Sequence, residues 1–422
     1  MTHPASPPIP PSASRLRRLL DRAGLPRKLL LGYVAVLVFM VGDGIEQGFL
    51  TPYLVDHGLS AAKGAHLLSV YGITVAAASW LAGALSESWG PRRVMIIGLA
   101  DWVLFELLFL IVGVQQLNYP VMLLALALRG FGYPLFAYGF LVLVVFEAQE
   151  RTLGRAVGWF WFFNTAGIGV VSAYVASLTI PAVGQLATLW LSLAFVIAGG
   201  LLAVLFVRDR TVPDNSVQAV VKGLVQSLTI IWRRPPVGVG GLVRLINTLL
   251  TYGGFYVFLP LYMTKTIGFS VPEWERILGT MFASNIVWNL VFGFVGDRLG
   301  WRRTVAWFGG LGCAVTTLLV YYVPALFGAN FWLNMAVSVI FGATLAAFVP
   351  LSALMPSLAP EHKGAAMAVL NLGAGLSHFA GPAITSLFLT SAGPGGLMWI
   401  FAVIFFAGFW LTLALPTRLP HA

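Results

Sequence analysis

Residues 83–93 read GALSESWGPRR and residues 293–303 read GFVGDRLGWRR. At a constant offset of 210, Gly83 aligns with Gly293, Glu87 with Asp297, Gly90 with Gly300, and Arg92 and Arg93 with Arg302 and Arg303. Each stretch is a short polar break between two long apolar runs. The same offset carries Gly58 and Ser60 onto Gly268 and Ser270, and Gly154 onto Gly364. The chain therefore reads as two halves of one design. The halves are residues 29–207 and 238–415, joined by a polar, proline-bearing linker over 208–237. Duplicated halves of this kind point to a transporter whose site lies between them, near the middle of a bilayer.

Composition sets the surroundings. Of 422 residues, 59% are hydrophobic and only 9% charged, against roughly 25% charged in an ordinary soluble domain. Runs long enough to span a bilayer, about 20 residues each, recur along the whole chain. In lipid only helices or closed barrels satisfy the backbone, and these runs are too long and continuous for barrel strands. The reading is an all-α polytopic membrane protein of 12 spans in two six-helix bundles: 29–55, 64–88, 94–115, 119–148, 152–178, 184–207, 238–263, 275–296, 303–323, 330–358, 363–390 and 394–415. The single cysteine, Cys313, allows no intrachain disulfide.

Charge placement gives topology. The net charge is +10. Most Lys and Arg fall in the tail 1–28, beside Arg92/Arg93 and Arg302/Arg303, around Arg151/Arg155, and in the linker, all on one side of the predicted spans. The positive-inside rule puts that side, with both termini, in the cytoplasm. The basic charge is thus a topology signal and gives no ground for nucleic-acid binding. The tails 1–28 and 416–422 read as cytoplasmic, the first as a disordered Pro/Ser-rich basic segment. The apolar run after it is too long for the h-region of a signal peptide; an Arg-rich transit peptide is the alternative.

The repeated loop, G-x-x-x-D/E-x-x-G-x-R-R after spans two and eight, resembles the signature of the major facilitator superfamily, over Leu29 to Leu415. Within it, GDGIEQGFLTPYL (residues 42–54) resembles the polyol permease branch, the ribitol and arabinitol carriers. The resemblance implies a monomeric secondary transporter of a bacterial-type inner membrane. It also implies that the two loops are cytoplasmic gates. Gly90 and Gly300 allow a tight turn, and an acid there meets a helix N-terminus and the paired arginines. Glu87 departs from the usual Asp, which lengthens that latch in the first copy.

Asp43, Glu46 and Gln47 lie inside the first span at i, i+3 and i+4, on one helical face. Acids at that depth face a bundle interior or a wet cavity. Across the repeat, Asp43 maps to Gly253, Glu46 to Tyr256 and Arg129 to Val339, so the deep charges belong to the first half. The expectation is that Asp43, Glu46 and Arg129 handle protons, because a low-dielectric pocket disfavours the charged carboxylate and lets it take up a proton. A structural pair of Glu46 with Arg129 is the alternative. Asp101, Glu106 and Glu147 are expected in structural ion pairs, Arg244 as a snorkelling or gate residue, and His378 as a satisfied hydrogen-bonder.

The candidate substrate-binding residues are Gln47, Asn164, Asn247, Tyr252, Asn285, Asn289 and Asn371, since an amide within a span is costly unless partnered or wet. Trp159, Phe162 and Phe163 beside Asn164 offer faces for a polyol or sugar. There is no Walker sequence, no metal-spaced cluster and no nucleophile triad. No cofactor, metal or enzymatic activity is therefore expected. The leading function is proton-coupled uptake of a small polyhydroxylated solute. The alternatives are symport of an organic or sugar acid with Arg129 as its clamp, drug/proton antiport, and a non-transporting scaffold.

Overall fold

A computed structural model of the chain describes residues 27–147, 153–208 and 217–416. Twelve of its helices are long and apolar enough to cross a membrane. They are α1 (Leu30–Asp56), α2 (Ala61–Ser86), α3 (Pro91–Val114), α4 (Tyr119–Glu147), α5 (Ala156–Val183), α6 (Gln185–Phe206), α7 (Pro235–Ile267), α8 (Val271–Leu299), α9 (Trp301–Phe327), α10 (Phe331–Leu358), α11 (Ala365–Phe388) and α12 (Gly393–Ala414). The expected spans all stand, with ends shifted by a few residues. Buried apolar side chains gather into two large clusters, one from α1–α6 and one from α7–α12. The fold is two six-helix bundles side by side.

The linker differs from its polar reading. Val217–Arg233 forms a helix packed on α2, α11 and α7. Val221, Val225, Leu228 and Trp232 make an exposed apolar stripe at helical spacing. The alternation of these residues with polar ones at period 3.6 was diluted in the sequence by the prolines and charges on either side. The tail 1–26, residues 209–216 and the tail 417–422 lie outside the described residues.

Local chemistry explains the joints. Gly90 and Gly300 adopt φ of 88° and 92°, a region that side-chain-bearing residues avoid, and each begins the next helix. Arg92 then donates to the Val204 carbonyl (2.7 Å) at the end of α6. Arg302 donates to the Leu413 and Leu415 carbonyls (2.9 Å each) at the end of α12. These matched bonds neutralise orphan carbonyls at the negative ends of two helices. Both bonds stay within their own bundle. Asp297 accepts from Trp301 Nε1 at 3.0 Å, and the Glu87 side chain lies outside the described residues. Arg93 and Arg303 are exposed, and Gly83 and Gly293 face open space.

Helix α1 is broken by a turn at residues 46–49. Pro52 has no N–H to give the Gly48 carbonyl. That carbonyl accepts instead from Trp274 Nε1 of α8, at 3.1 Å. In α7, Pro260 likewise offers nothing to the Tyr256 carbonyl, which accepts from Thr51 Oγ1 of α1 at 3.2 Å. Each bundle thus satisfies a carbonyl that a proline of the other has freed. An Asp56–Lys265 ion pair and a Tyr174–Thr280 hydroxyl contact (2.9 Å) join the bundles on the same side. This side carries the 57–60 and 268–270 turns and is opposite the face at which α1 begins and α12 ends; we call it the turn face.

Candidate functional site

The site is built where α1, α3, α4 and α6 cross. Close approach is set by glycines: a Cβ on Gly44 would fall 2.7 Å from Ser172 Oγ and 2.8 Å from Ile168 Cα of α5, and one on Gly132 2.5 Å from Trp102 Cβ. Arg129, on α4, is buried with 1% exposure. Its two terminal nitrogens each meet a carboxylate: Nη2 pairs with Glu46, Nη1 with Glu106, and Nη1 also reaches Glu46 Oε2 at 3.2 Å. Glu106 Oε1 accepts from Ser192 of α6 at 3.3 Å. The guanidinium carbon lies 5.2 Å from the Trp102 ring centre, 5.4 Å from Phe109 and 5.5 Å from Tyr71. Such aromatic faces favour a desolvated cation.

Asp43 stands one turn before Glu46 and is also buried. Its Oδ1 accepts from Trp102 Nε1 at 2.7 Å, and Oδ2 has no partner among the described residues. The cluster thus holds three carboxylates and one cation in a buried region. Full ionisation of all three would leave it with excess negative charge.

Beside this cluster a narrow pocket lies between the bundles. Glu46, Gln47 and Tyr71 line it from the first bundle, and Tyr252, Tyr256 and His378 from the second. These residues sit near the middles of α1, α2, α7 and α11. The His378 ring stacks on Tyr252 with centres 3.6 Å apart. Its Nδ1–H donates to the Ala374 carbonyl (3.1 Å), and Nε2 meets the Tyr133 hydroxyl of α4 (3.0 Å), so the imidazole bridges the bundles. Gln47 Nε2 donates to the Asp43 carbonyl at 3.4 Å, while its Oε1 is unpartnered among the described residues.

A family model described as Major Facilitator Superfamily matches residues 32–284 and 245–422. The chain belongs to this superfamily. It is 48% identical over 395 residues to the "Alpha-ketoglutarate permease" of Bacillus subtilis (strain 168), covering 93% of this chain and 90% of that one. It is 37% identical over 401 residues to the "D-arabinitol transporter" of Klebsiella pneumoniae, with 94% of each chain covered. The crystal structure of the nucleoside transporter NupG superposes with a TM-score of 0.72 at 15% identity, over 92% of this chain and 99% of that one, a likeness of fold. Membership places the chain among transporters rather than enzymes.

Of the transporter's sequence-predicted residues, the structure brings Asp43, Glu46 and Arg129 together and puts Gln47 and Tyr252 on the pocket. Five amides lie elsewhere. Asn164 is buried on α5 with Nδ2 unpartnered among the described residues. Asn247 is held by Arg244 Nη1 (2.5 Å) and donates to Leu345 O (3.5 Å). Asn285 donates to Gly342 O of α10 (3.2 Å) and accepts from Asn289 (3.3 Å), so their shared face turns to a neighbouring helix. Asn371 is exposed on α11. Arg244 reaches inward, within electrostatic range of Tyr252 and Tyr138, rather than snorkelling. Glu106 pairs with Arg129, whereas Asp101 Oδ2 is unpartnered among the described residues. The chain neighbours of Glu147 that an ion pair would draw on, Glu150 and Arg151, lie outside them.

Sequence reasoning missed Tyr71, Tyr256 and Glu106 as parts of the site. Tyr256 had a signal: it is the repeat partner of Glu46, and both line the same pocket.

Proposed function

We propose that this transporter couples uptake of a small neutral polyhydroxylated solute, a sugar alcohol, to inward movement of protons. The face carrying the termini is cytoplasmic, in a bacterial-type inner membrane. The bundles 29–207 and 238–415 rock about the pocket, and one chain suffices. Asp43 carries the proton, since it has an oxygen without a partner and lies one turn from the pocket-lining Glu46. The Glu46–Arg129–Glu106 cluster holds the field in which that proton binds. Membrane potential contributes roughly 2.3 kcal/mol per charge per 100 mV to the uphill step.

The pocket wall is the observation that carries the solute class. Its polar groups are a carboxylate, an amide, three phenols and an imidazole, set on aromatic faces that suit the C–H surface of a polyol. Arg129, the earlier candidate clamp for a carboxylate, has both terminal nitrogens on Glu46 and Glu106. The similarity to the D-arabinitol transporter supports the same reading.

Symport of an organic acid is the second reading, favoured by the 48% identity to the alpha-ketoglutarate permease. Its clamp would be Arg244, which lies within electrostatic range of the pocket-lining Tyr252. Uptake of labelled D-arabinitol, ribitol and alpha-ketoglutarate into proteoliposomes, with the outside acidified, separates the two. The pentitols should accumulate, and collapse of the gradient should abolish it. Accumulation of alpha-ketoglutarate with no pentitol uptake overturns the first reading.

A further inference from the structure

We propose that Glu275 is a second proton-binding site, built into the gate at the turn face: its carboxyl holds a proton while that gate is closed and releases it to water when the gate opens. The inference rests on the alternation of the two bundles proposed above, and not on which solute is carried or on the role of Asp43.

Glu275 lies in the second turn of α8, directly after Trp274, and is 1% exposed. Its Oε1 is enclosed and has no hydrogen-bond partner among the described residues. The carboxyl is pressed on the break in α1 of the opposite bundle: a Cβ on Gly48 would fall 2.6 Å from its Cδ. Only a glycine lets the two meet. The adjacent Trp274–Gly48 bond closes the same contact. Glu275 is therefore sealed by the bundle interface itself, and separation of the bundles there exposes it to water.

No cation among the described residues compensates it. On α8, Glu273 is held by Ser270 and Arg276 points outward. From α7, Lys265 is paired with Asp56 of α1, and the Tyr262 hydroxyl donates to Tyr321 O. Tyr256 is the α7 group within electrostatic reach. From α5, Tyr174 is bonded to Thr280. In α1, Glu46 is neutralised by Arg129, and Asp43 lies deeper, bonded to Trp102. The facing part of α10, Phe331–Ala346, bears no charge. An enclosed carboxylate with neither a donor nor a counter-ion is costly, and a neutral carboxyl is not. On opening, the O–H bond breaks, the proton passes to water and the carboxylate is left hydrated. Low pH thus favours the closed gate and high pH the open one.

The test places spin labels at His57→Cys and Thr266→Cys, exposed positions on the two sides of the gate, with Cys313→Ser, in full-length protein in lipid nanodiscs. Pulsed dipolar distances are read between about pH 5 and 9. The short-distance population should fall as pH rises, by up to about tenfold per pH unit, the limit for one linked proton. Glu275→Gln should hold the short distance over the pH range in which the wild-type population falls. Infrared difference spectra should show a carboxylic-acid C=O band lost in Glu275→Gln. A pH response unchanged in Glu275→Gln overturns the inference. So does an absent response in protein that still performs acid-driven pentitol uptake, a result that leaves the transport reading intact.

Discussion

Trp102 of α3 donates its indole N–H to Asp43 Oδ1 of α1 at 2.7 Å, and the second oxygen of Asp43 has no partner among the described residues. One oxygen of this carboxyl is held by the indole, and the other is enclosed on the side of the Tyr71 hydroxyl. Trp102 is fully buried, so Trp102→Phe keeps an aromatic body and removes the donor. Losing a hydrogen bond to a charged group costs about 1.5–3 kcal/mol. Thermal unfolding in detergent should register that loss at a pH where Asp43 is ionised. An unshifted midpoint means that the bond contributes nothing.

Arg129 stands between two acids. Arg129→Gln leaves Glu46 and Glu106 facing one another without a counter-ion, at a cost of about 3–5 kcal/mol. Arg129→Gln combined with Glu106→Gln should regain part of the loss, because one of the two stranded charges is removed. The same unfolding assay reads both. A double variant no more stable than the single one contradicts the pairing.

The contact of α1 with α5 depends on an absent side chain. Gly44→Val would drive new methyl groups into Ser172 and the Ile168 backbone. Overpacking of this order costs about 1–3 kcal/mol. The thermal midpoint should fall. A gain in stability would mean that the helices have room to part.

At the turn face two carbonyls freed by proline, Gly48 O and Tyr256 O, are held across the bundle interface by Trp274 and Thr51. Trp274→Phe and Thr51→Val should each weaken the closed gate by about 1 kcal/mol, the worth of one neutral hydrogen bond. The labelled 57/266 pair should then show more of the long distance at fixed pH. A population unchanged in both variants removes these bonds from the gate.

Much of this was legible in the sequence. The twelve spans follow from one length rule, and the two-bundle plan from loops whose glycines take positive φ in both copies. Asp43, Glu46 and Arg129 were legible because a charge within a span needs a partner or water. Their connection through Glu106 was not, because it depends on how α3 is rotated against α4. Asn285 and Asn289 show the converse: their i, i+4 spacing is real, but the face they share meets the Gly342 carbonyl of α10 and not the pocket. Tyr71 and Tyr256 were hidden among many aromatics, many of them exposed on the outer faces of their helices or stacked on one another. Glu275 was hidden at the edge of its span, where an acid draws no notice; only the contact with Gly48 reveals that it is sealed.

Asp43 as the proton carrier is tested most directly by comparing two assays of Asp43→Asn in proteoliposomes. The account predicts that acid-driven accumulation of the pentitol is abolished while counterflow exchange of labelled for unlabelled pentitol continues. Accumulation against a gradient by Asp43→Asn would contradict it.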